Sequence, residues 1–436
     1  MTRIFAEPTQ AGEYLFRRHA GEVLGTLVRR FGDLDLAEES LQDALVEALI
    51  RWPREGDPRN PASWLVTVAK SKAVDRIRRT QRRPDRESAA LHRYRAPADE
   101  IDELAESLGD VGIGDDQLSL ILLCCHPALN HETQVALTLR TVAGLTTHEI
   151  ARGFMVELPV MAQRLVRAKS KIRRAGIPFG IPDQAKLAER IDAVMHVFYL
   201  VFNEGYASAQ PNSFIRHELC GEAIRLGRTL NALVPEHAEA MGLLALMLLH
   251  DARAPGRVSA EGELITLEHQ DRTMWRTAQI GEGIGLIDRA MTLRQPGRYQ
   301  IEAAIAALHS SAPTAQATDW HQIDALYGSL QRFVPTPVIA LNRAVARSMA
   351  VGPEAGLEMV AELVDDGALD HWYLLHSTRA ELLQRAGRHE QALSAFRSAI
   401  ELAPSATERR FLERRLDALA ETRRSSAGRD RSGRAR

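Results

Sequence analysis

The chain has 436 residues, of which 45% are hydrophobic and 26% are charged, and its formal net charge is only −2. This length allows several domains, each with its own core. No apolar run approaches the roughly 20 residues of a membrane span, and the N-terminus lacks the pattern of an export signal, so we expect a cytoplasmic protein.

The cysteines argue against a disulfide framework and a zinc ribbon. There are three, Cys124, Cys125 and Cys220, with no Cys-x-x-Cys spacing. Cys124 and Cys125 precede His126, which raises the alternative of a metal or redox site. Consecutive side chains on a helix diverge by roughly 100°, however, so the pair is poorly placed to share one ion. We therefore expect buried structural cysteines and no metal.

Residues 8–80 are predicted to form a first helical unit. The turn GDLD at Gly32 supplies a break and acidic residues for a helix start, and apolar residues then recur at helical spacing from Leu36 to Leu49. A loop rich in Pro and Gly ends at Pro61, after which ASWLVTVAKSKAVDRIRR resumes as helix. One face of this helix is basic: Lys70, Lys72, Arg76 and Arg79.

A linker with little fixed structure is predicted over residues 81–114. Ten basic residues lie between Lys70 and Arg95, whereas the stretch from Asp99 to Asp116 holds eight acids and no base. Such blocks are typical of a nucleic-acid face beside an acidic linker, although a charge run is also common on an ordinary solvated surface.

Residues 115–176 are predicted to form a second helical unit that ends in a helix-turn-helix. Thr146 or Thr147 is a suitable N-cap for a short helix, and a second helix starts near Glu157. An ordinary amphipathic helix pair is the alternative. The second helix carries polar and basic residues outside its apolar seam: Gln163, Arg164, Arg167, Lys169 and Lys171. Of these, the arginines suit guanine edges or phosphates, and the lysines suit phosphates.

Residues 183–420 are predicted to form a helical repeat region, followed by a disordered basic tail over 421–436. The segment HSTRAELLQRAGRHEQALSAFRSAIELAP has the offsets of a tetratricopeptide-type helix pair, with a turn at Gly387 and the bulky Phe396 between small residues. Earlier, YLVFNEGYAS at Tyr199 fits either the end of a core helix or a polar interface formed by Asn203, Glu204 and Tyr206. The predicted fold class is all-α.

The order of these segments resembles one family. AEESLQDALVEAL, WLVTVAKSKAVDRIRR, an acidic linker and LTLRTVAGLTTHEIARGF followed by MAQRLVRAKSKI resemble the extracytoplasmic-function sigma factors of bacterial RNA polymerase. The motifs CCHPAL, AQRLVRAK and YLVFNEGYAS resemble the subgroup that has a C-terminal tetratricopeptide-like extension. The resemblance implies core RNA polymerase and promoter DNA as partners, with further protein or intramolecular contacts of the extension, and no cofactor.

The resemblance also implies roles for individual residues. Leu41, Gln42 and Asp43 are the candidates for docking on core polymerase. The helix from Trp64 to Arg79 is expected to bind the −10 element, and the helix-turn-helix the −35 element. The candidates for the −10 element are Trp64, Lys70, Ser71, Lys72, Arg76 and Arg79.

Two positions depart from the family pattern. Ser71 stands where the family usually has Asn, and Glu157 to Val160 replaces a Pro-Glu-Ala-Thr-like start of the recognition helix. The resemblance therefore defines the DNA-binding modules better than it defines the promoter sequence that they prefer.

Other functions are less favoured. HEIAR at His148 lacks the second His of a zinc protease, and GEGIG at Gly281 lacks the preceding strand of a dinucleotide site, so we expect no enzyme. A transcriptional regulator whose helix-turn-helix binds an operator and whose repeats sense a ligand or protein is the main alternative, and a repeat scaffold with vestigial DNA modules is a third.

Overall fold

The computed structural model describes residues 8–56, 58–81, 113–154, 156–206, 214–259, 265–404 and 406–433. The predicted all-α fold class is confirmed, because the chain is built from helices without strands over these ranges. None of the described helices is both long and apolar enough to cross a membrane. The chain divides into two compact units, one of residues 1–205 with 215–235 and the other of residues 206–214 with 236–436.

The first unit contains nine of the described helices. They are α1 (Pro8–Phe31), α2 (Leu34–Glu55), α3 (Pro61–Gln81), α4 (Ile113–Cys124), α5 (His131–Thr141), α6 (Thr147–Gly153), α7 (Leu158–Ala175), α8 (Gln184–Tyr206) and α9 (Phe214–Leu233). The division into units assigns the last residue of α8 and the first residue of α9 to the second unit.

Helices α1, α2 and α3 pack against one another. The predicted break at GDLD is confirmed: Asp33 caps α2, and its carboxylate accepts hydrogen bonds from the backbone N–H groups of Asp35 and Leu36 at 2.8 and 3.0 Å. Leu24, Leu41 and Leu65, one from each helix, are fully buried. Apolar residues at helical spacing therefore build one small core.

Helix α4 packs closely on α1, which joins the two predicted modules in one unit. A Cβ atom added at Gly25 would lie 2.6 Å from the backbone oxygen of Asp116, so this contact requires glycine. An ion pair lies beside it, with Arg29 Nη1 2.8 Å from Oδ1 of the same Asp116. The hydrogen bond and charge of Asp116 raise the pKa of Arg29.

The second unit contains the remaining helices. They are α10 (Ala238–Ala252), α11 (Thr277–Thr292), α12 (Arg298–Ser311), α13 (Trp320–Phe333), α14 (Pro337–Ala350), α15 (Pro353–Asp366), α16 (Tyr373–Arg385), α17 (His389–Glu401) and α18 (Ala406–Gly433). Helix α10 is the apolar run MGLLALMLL, and it is buried almost throughout between α11 and α12.

The later helices follow one another as pairs joined by short turns. Gly387 has φ 74° in the turn between α16 and α17, as its position in the sequence predicts. Ala380, Ala392 and Phe396 are fully buried in one apolar cluster that also contains Leu412 of α18. In the preceding pair, a Cβ atom at Gly356 would lie 2.5 Å from Ser348 Cβ, so α14 and α15 also approach closely. These features agree with the expected helix packing, and assignment as tetratricopeptide-like repeats remains a prediction.

The predicted linker lies mostly outside the described residues, whereas the predicted tail lies mostly within them. Most of the predicted acidic linker, residues 82–112, lies outside the described residues. The predicted disordered tail overlaps α18. This helix continues from Leu419, which is buried in the core, to Gly433, so the prediction of disorder from residue 421 is corrected to helix over residues 421–433. Once a helix is anchored in a core, each residue added to its end gains one backbone hydrogen bond. The polar composition of the tail does not prevent this extension.

Candidate nucleic-acid interface

The predicted helix-turn-helix corresponds to α6 and α7. Thr146 caps α6 reciprocally with Glu149: the Glu149 N–H donates to Thr146 Oγ1 at 3.2 Å, and the Thr146 N–H donates to Glu149 Oε2 at 2.8 Å. This arrangement satisfies two backbone N–H groups at the helix start. In contrast, Glu157 precedes α7 without a side-chain capping bond, and Pro159 occupies the first turn.

The apolar seam of α7 is the one predicted from the sequence. Its buried residues are Met161, Leu165, Ala168 and Ile172, and Ile150 of α6 is also fully buried. Buried residues at spacings of four and three define the inner face of the helix, which fixes the opposite side as the surface available to a ligand.

The exposed side of α7 is basic. Three of the residues predicted for the −35 element lie there, Gln163, Arg167 and Lys171, and Arg174 extends the same line. We call these four residues the basic stripe. Their spacing of four, four and three residues keeps them on one face of α7. Three cations and one amide therefore lie along the exposed side of the second helix of this pair.

Arg164 and Lys169, also predicted for the −35 element, are engaged within the first unit. The guanidinium of Arg164 lies 3.2 Å from Oε2 of Glu132 and 5.9 Å from the centre of the Phe154 ring. The Lys169 ammonium lies 2.7 Å from Glu38 Oε2 and 3.1 Å from Asp35 Oδ1. Binding of either side chain to DNA therefore requires an existing ion pair to open.

The environment of Lys169 strongly favours its charged form. Its side chain is only 14% exposed, and Glu38 is a buried acid on α2. Burial by itself lowers the pKa of Lys169, but the charges and hydrogen bonds of Glu38 and Asp35 outweigh it, and the pKa is raised. Arg173, one turn further, pairs with the same Asp35. The helix-turn-helix is thus held to α2 by an ionic cluster.

Helix α3 exposes fewer basic residues than its sequence suggests. Ser71 and Arg79, both predicted for the −10 element, are exposed at a spacing of eight residues. Ser63, Thr67 and Asp75 fill the same line at intervals of four. The outward face of α3 is therefore mainly hydroxyl groups with one acid and one terminal cation.

The remaining candidates on α3 face neighbouring side chains. Lys72 Nζ lies 2.6 Å from Glu47 Oε2, and this hydrogen bond lowers the pKa of Glu47. Arg76 bridges Asp43 and Glu39 at 2.8 and 2.7 Å.

Trp64 and Lys70 are partly buried. The Trp64 ring meets the Trp52 ring edge-on, with their centres 5.3 Å apart. Burial, followed by the charge of Arg30, lowers the pKa of Lys70.

The predicted polymerase-docking residues separate by exposure. Gln42 is exposed and Asp43 partly exposed, whereas Leu41 is fully buried, because it belongs to the inward stripe of α2. Leu41 can therefore contribute to a docking surface only by packing beneath the exposed residues. Val46 and Ile50 were missed by the sequence prediction, although they are 58% and 55% exposed. Their spacing from Gln42, four and eight residues, was the available signal, because it falls outside the inward stripe.

The cysteines are buried, as expected from the sequence. All three thiols are inaccessible, and burial raises the pKa of Cys125 to about 12. His126 uses Nδ1 to accept a hydrogen bond from the Ala128 N–H at 3.1 Å. Within the described ranges, His, Cys, Asp and Glu residues form no group able to hold a metal ion.

Comparison with known proteins gives two family matches. Residues 15–83, which include α2 and α3, match sigma-70 region 2. Residues 190–291 match a family of unknown function, DUF6596.

Similar proteins fall into two groups. An uncharacterized protein of Rhizobium meliloti (strain 1021) is 45% identical over 402 residues, covering 92% of this chain and 93% of that protein. The ECF RNA polymerase sigma factor SigK of Mycobacterium ulcerans is 27% identical over 155 residues, covering 35% of this chain and 78% of SigK. SigK of Mycobacterium bovis is 26% identical over 152 residues, with the same shares.

Proposed function

Because the chain belongs to the same family as the uncharacterized Rhizobium meliloti protein and carries sigma-70 region 2 over residues 15–83, we propose that it is an extracytoplasmic-function sigma factor. In this role it binds core RNA polymerase and directs promoter-specific initiation in the cytoplasm. The observation that carries the proposal is the presence of region 2 and a helix-turn-helix with an exposed basic stripe in one chain.

Duplex DNA at the −35 element is the proposed ligand of the basic stripe. Gln163 and Arg167 lie nearer the start of α7, where the recognition helix of such motifs reaches base edges. Lys171 and Arg174 follow toward the C-terminal end and suit phosphates. Arg164 and Lys169 join them only if their ion pairs with Glu132 and Glu38 open.

The −10 element is the proposed ligand of α3. The exposed hydroxyl of Ser71 and the exposed guanidinium of Arg79 are the first contacts available to it. Trp64 supplies an aromatic face for an unstacked base, and Lys70, Lys72 and Arg76 supply phosphate contacts once they are released from their neighbours.

Core RNA polymerase is the proposed partner of the outer face of α2. Gln42, Val46 and Ile50 form one line there, with Asp43 at its side. Two exposed aliphatic side chains one turn apart favour a protein partner over DNA, since they gain free energy by leaving water.

The proposed function requires the two modules to separate. The −10 and −35 elements are about 25 base pairs apart, or about 85 Å at 3.4 Å per base pair. A compact unit of about 226 residues has a radius of gyration of about 17 Å, so it cannot span both elements. The contacts of α1 with α4 and α5, and of α2 with α7, are therefore among those that must open when the protein binds a promoter.

Regulation is the proposed role of the second unit. Residues 236–420, the part of the second unit before the basic tail, carry 18 Lys and Arg against 24 Asp and Glu, a net charge of −6 in the same chain as basic DNA-binding helices. A truncation after Pro235, at the boundary between the units, is expected to keep the cooperative unfolding of the first unit and to change the transcript yield. Unchanged yield from the truncated chain would argue against regulation.

Run-off transcription with purified core polymerase tests the central proposal. Adding the full chain to genomic fragments is expected to produce promoter-dependent transcripts, and Arg79→Ala is expected to reduce them. Arg397→Ala, at an exposed position of α17, is the matched control and leaves them unchanged. Binding to DNA without any transcript would favour the alternative, a transcriptional regulator with a sensing domain.

A further inference from the structure

A cavity of about 370 Å³ lies entirely within the second unit. Its walls come from the end of α8, the segment after α10, and helices α16 and α18. This volume suits a small metabolite. Tyr206, the second tyrosine of the YLVFNEGYAS motif, is one of the lining residues, so the motif contributes to a polar concavity that the proposed sigma-factor function does not use.

The cavity contains a buried cation that has no acidic partner among the described residues. Arg253 is 7% exposed, and its guanidinium donates to His250 Nδ1 at 2.7 Å and to the Tyr206 hydroxyl at 3.5 Å. Its Nε has no hydrogen-bond partner in the described part of the chain. A buried charge that lacks an opposite charge is costly, and an anionic ligand removes that cost.

A second arginine lines the same cavity. Arg257 lies over the Tyr206 ring, with its Cζ 3.7 Å from the ring centre, and donates to the Tyr206 backbone oxygen at 2.9 Å. Among the described residues, Arg253 and Arg257 contact His250 and Tyr206, and neither pairs with a carboxylate. Stacking on Tyr206 fixes the guanidinium of Arg257 while leaving other N–H groups available for a planar acid.

The groups behind the arginines are also basic. The pKa of His250 is lowered well below its usual range. Burial is the largest cause, and the charges of Arg253, Arg257 and His309 lower the pKa further. One acid, Glu408, lines the cavity, and its charge acts on Tyr373, whose pKa is raised by burial and then by Glu408. Positive charge therefore concentrates on the side formed by Arg253 and Arg257.

The uncharged lining adds two features. Gln270 donates through Nε2 to the Ile265 backbone oxygen at 3.0 Å, which orients the amide, and its buried Oε1 has no partner within the described residues. Phe411 and Leu412 of α18 give the cavity an apolar wall.

We propose that this cavity binds a small organic anion, with its acidic group held by Arg253 and Arg257 and its apolar body against Phe411 and Leu412. Gln270 Oε1 accepts a hydrogen bond from an O–H or N–H group of the same ligand. The acid is a carboxylate or a phosphate, since a pair of arginines binds both. This site does not depend on the sigma-factor function, and either proposal can fail without the other.

The dye 8-anilinonaphthalene-1-sulfonate is a suitable probe, because it combines an anionic group, an N–H group and an aromatic body. The full chain is expected to bind one dye molecule per chain, measured by fluorescence titration. Arg253→Gln and Arg257→Gln are each expected to raise the Kd about tenfold, the loss of a charge-assisted hydrogen bond. Arg276→Gln, which removes an arginine paired with Asp251 outside the cavity, leaves the Kd unchanged.

The neutral analogue N-phenyl-1-naphthylamine separates charge recognition from apolar binding. Its Kd is expected to stay the same in wild type, Arg253→Gln and Arg257→Gln. Equal loss of both probes, or unchanged dye binding in both variants, overturns the proposal. If Arg253→Gln does not unfold cooperatively, the partly exposed Arg257 carries the test alone.

Competition identifies the acid. Displacement of the dye by phenylacetate or by phenyl phosphate, but not by neutral phenylacetamide, supports the proposal and tells carboxylate from phosphate. Displacement by phenylacetamide at the same concentration, or by neither acid, overturns it.

Discussion

The Lys169 ammonium lies 2.7 Å from Oε2 of Glu38, which joins the second helix of the helix-turn-helix to a buried acid on α2. The two residues are 131 positions apart in the chain. Lys169 is thus both a candidate DNA contact and a link that holds the first unit together.

Removing the Lys169 charge tests this link. Lys169→Met is expected to lower the free energy of unfolding of the first unit by about 1–3 kcal/mol, because it leaves Glu38 buried without its partner. Denaturant unfolding measures the change. Lys171→Met, on the exposed side of the same helix, is the matched control, with an expected change within about 0.5 kcal/mol. Equal stability of the two variants would contradict the role of Lys169.

The basic stripe makes a prediction about DNA. Arg167→Ala is expected to weaken binding to a −35 fragment by about 10-fold or more and to reduce the dependence of affinity on salt, because one cation fewer meets the DNA. Fluorescence anisotropy at several salt concentrations measures both effects. Arg397→Ala should behave as wild type, and the same salt slope in both variants would count against the stripe.

The exposed aliphatic pair on α2 makes a prediction about the polymerase. Ile50→Glu is expected to raise the Kd for core polymerase by about 10-fold or more, since a charge replaces an apolar contact at an interface. Its stability should change little, because Ile50 is 55% exposed. Val351→Glu, at a similarly exposed position, serves as the control. Wild-type affinity of Ile50→Glu would place the docking surface elsewhere.

The close contact of α1 with α4 predicts a steric effect at Gly25. Gly25→Ala is expected to cost about 1–3 kcal/mol of unfolding free energy, because its Cβ would lie 2.6 Å from a backbone oxygen. Gly281→Ala is the control: a Cβ there meets nothing within 4 Å, and the helical position should gain about 0.5–1 kcal/mol. A neutral result at Gly25 would show that α1 and α4 separate without cost.

The partly buried histidines of the second unit predict a loss of stability in acid. Burial, followed by Arg253 and Arg272, lowers the pKa of His309 to about 4. In the unfolded chain a histidine takes up its proton near pH 6.5, so this stability is complete above about pH 6.5 and falls as the pH falls toward 4. The expected loss is about 1–3 kcal/mol for His309.

Thermal unfolding between pH 7 and pH 4.5 measures this dependence. His309→Gln should flatten it, whereas His321→Gln, at an exposed position, should leave it as in wild type. A steeper dependence in His309→Gln would reverse the assigned sign.

Local features of the fold were predictable from the sequence because they depend on near neighbours. The Asp33 cap and the buried seam from Met161 to Ile172 follow from residue type and helical spacing. The pairing of Lys169 with Glu38 was not predictable, because nothing in either local pattern marks a partner 131 residues away. Arg253 was missed for a similar reason: its burial depends on the packing of several helices.

The ion pair between Asp43 and Arg76 has a thermodynamic consequence for the proposed function. Asp43 is a candidate contact for the polymerase, and Arg76 is a candidate contact for the promoter. In the free protein the two side chains form an ion pair with each other. When the polymerase engages Asp43, Arg76 loses one acidic partner and keeps Glu39; when DNA engages Arg76, Asp43 becomes available to the polymerase. Linkage makes the two affinities rise together by the same factor, and for a half-exposed ion pair worth up to about 1 kcal/mol that factor is at most about fivefold.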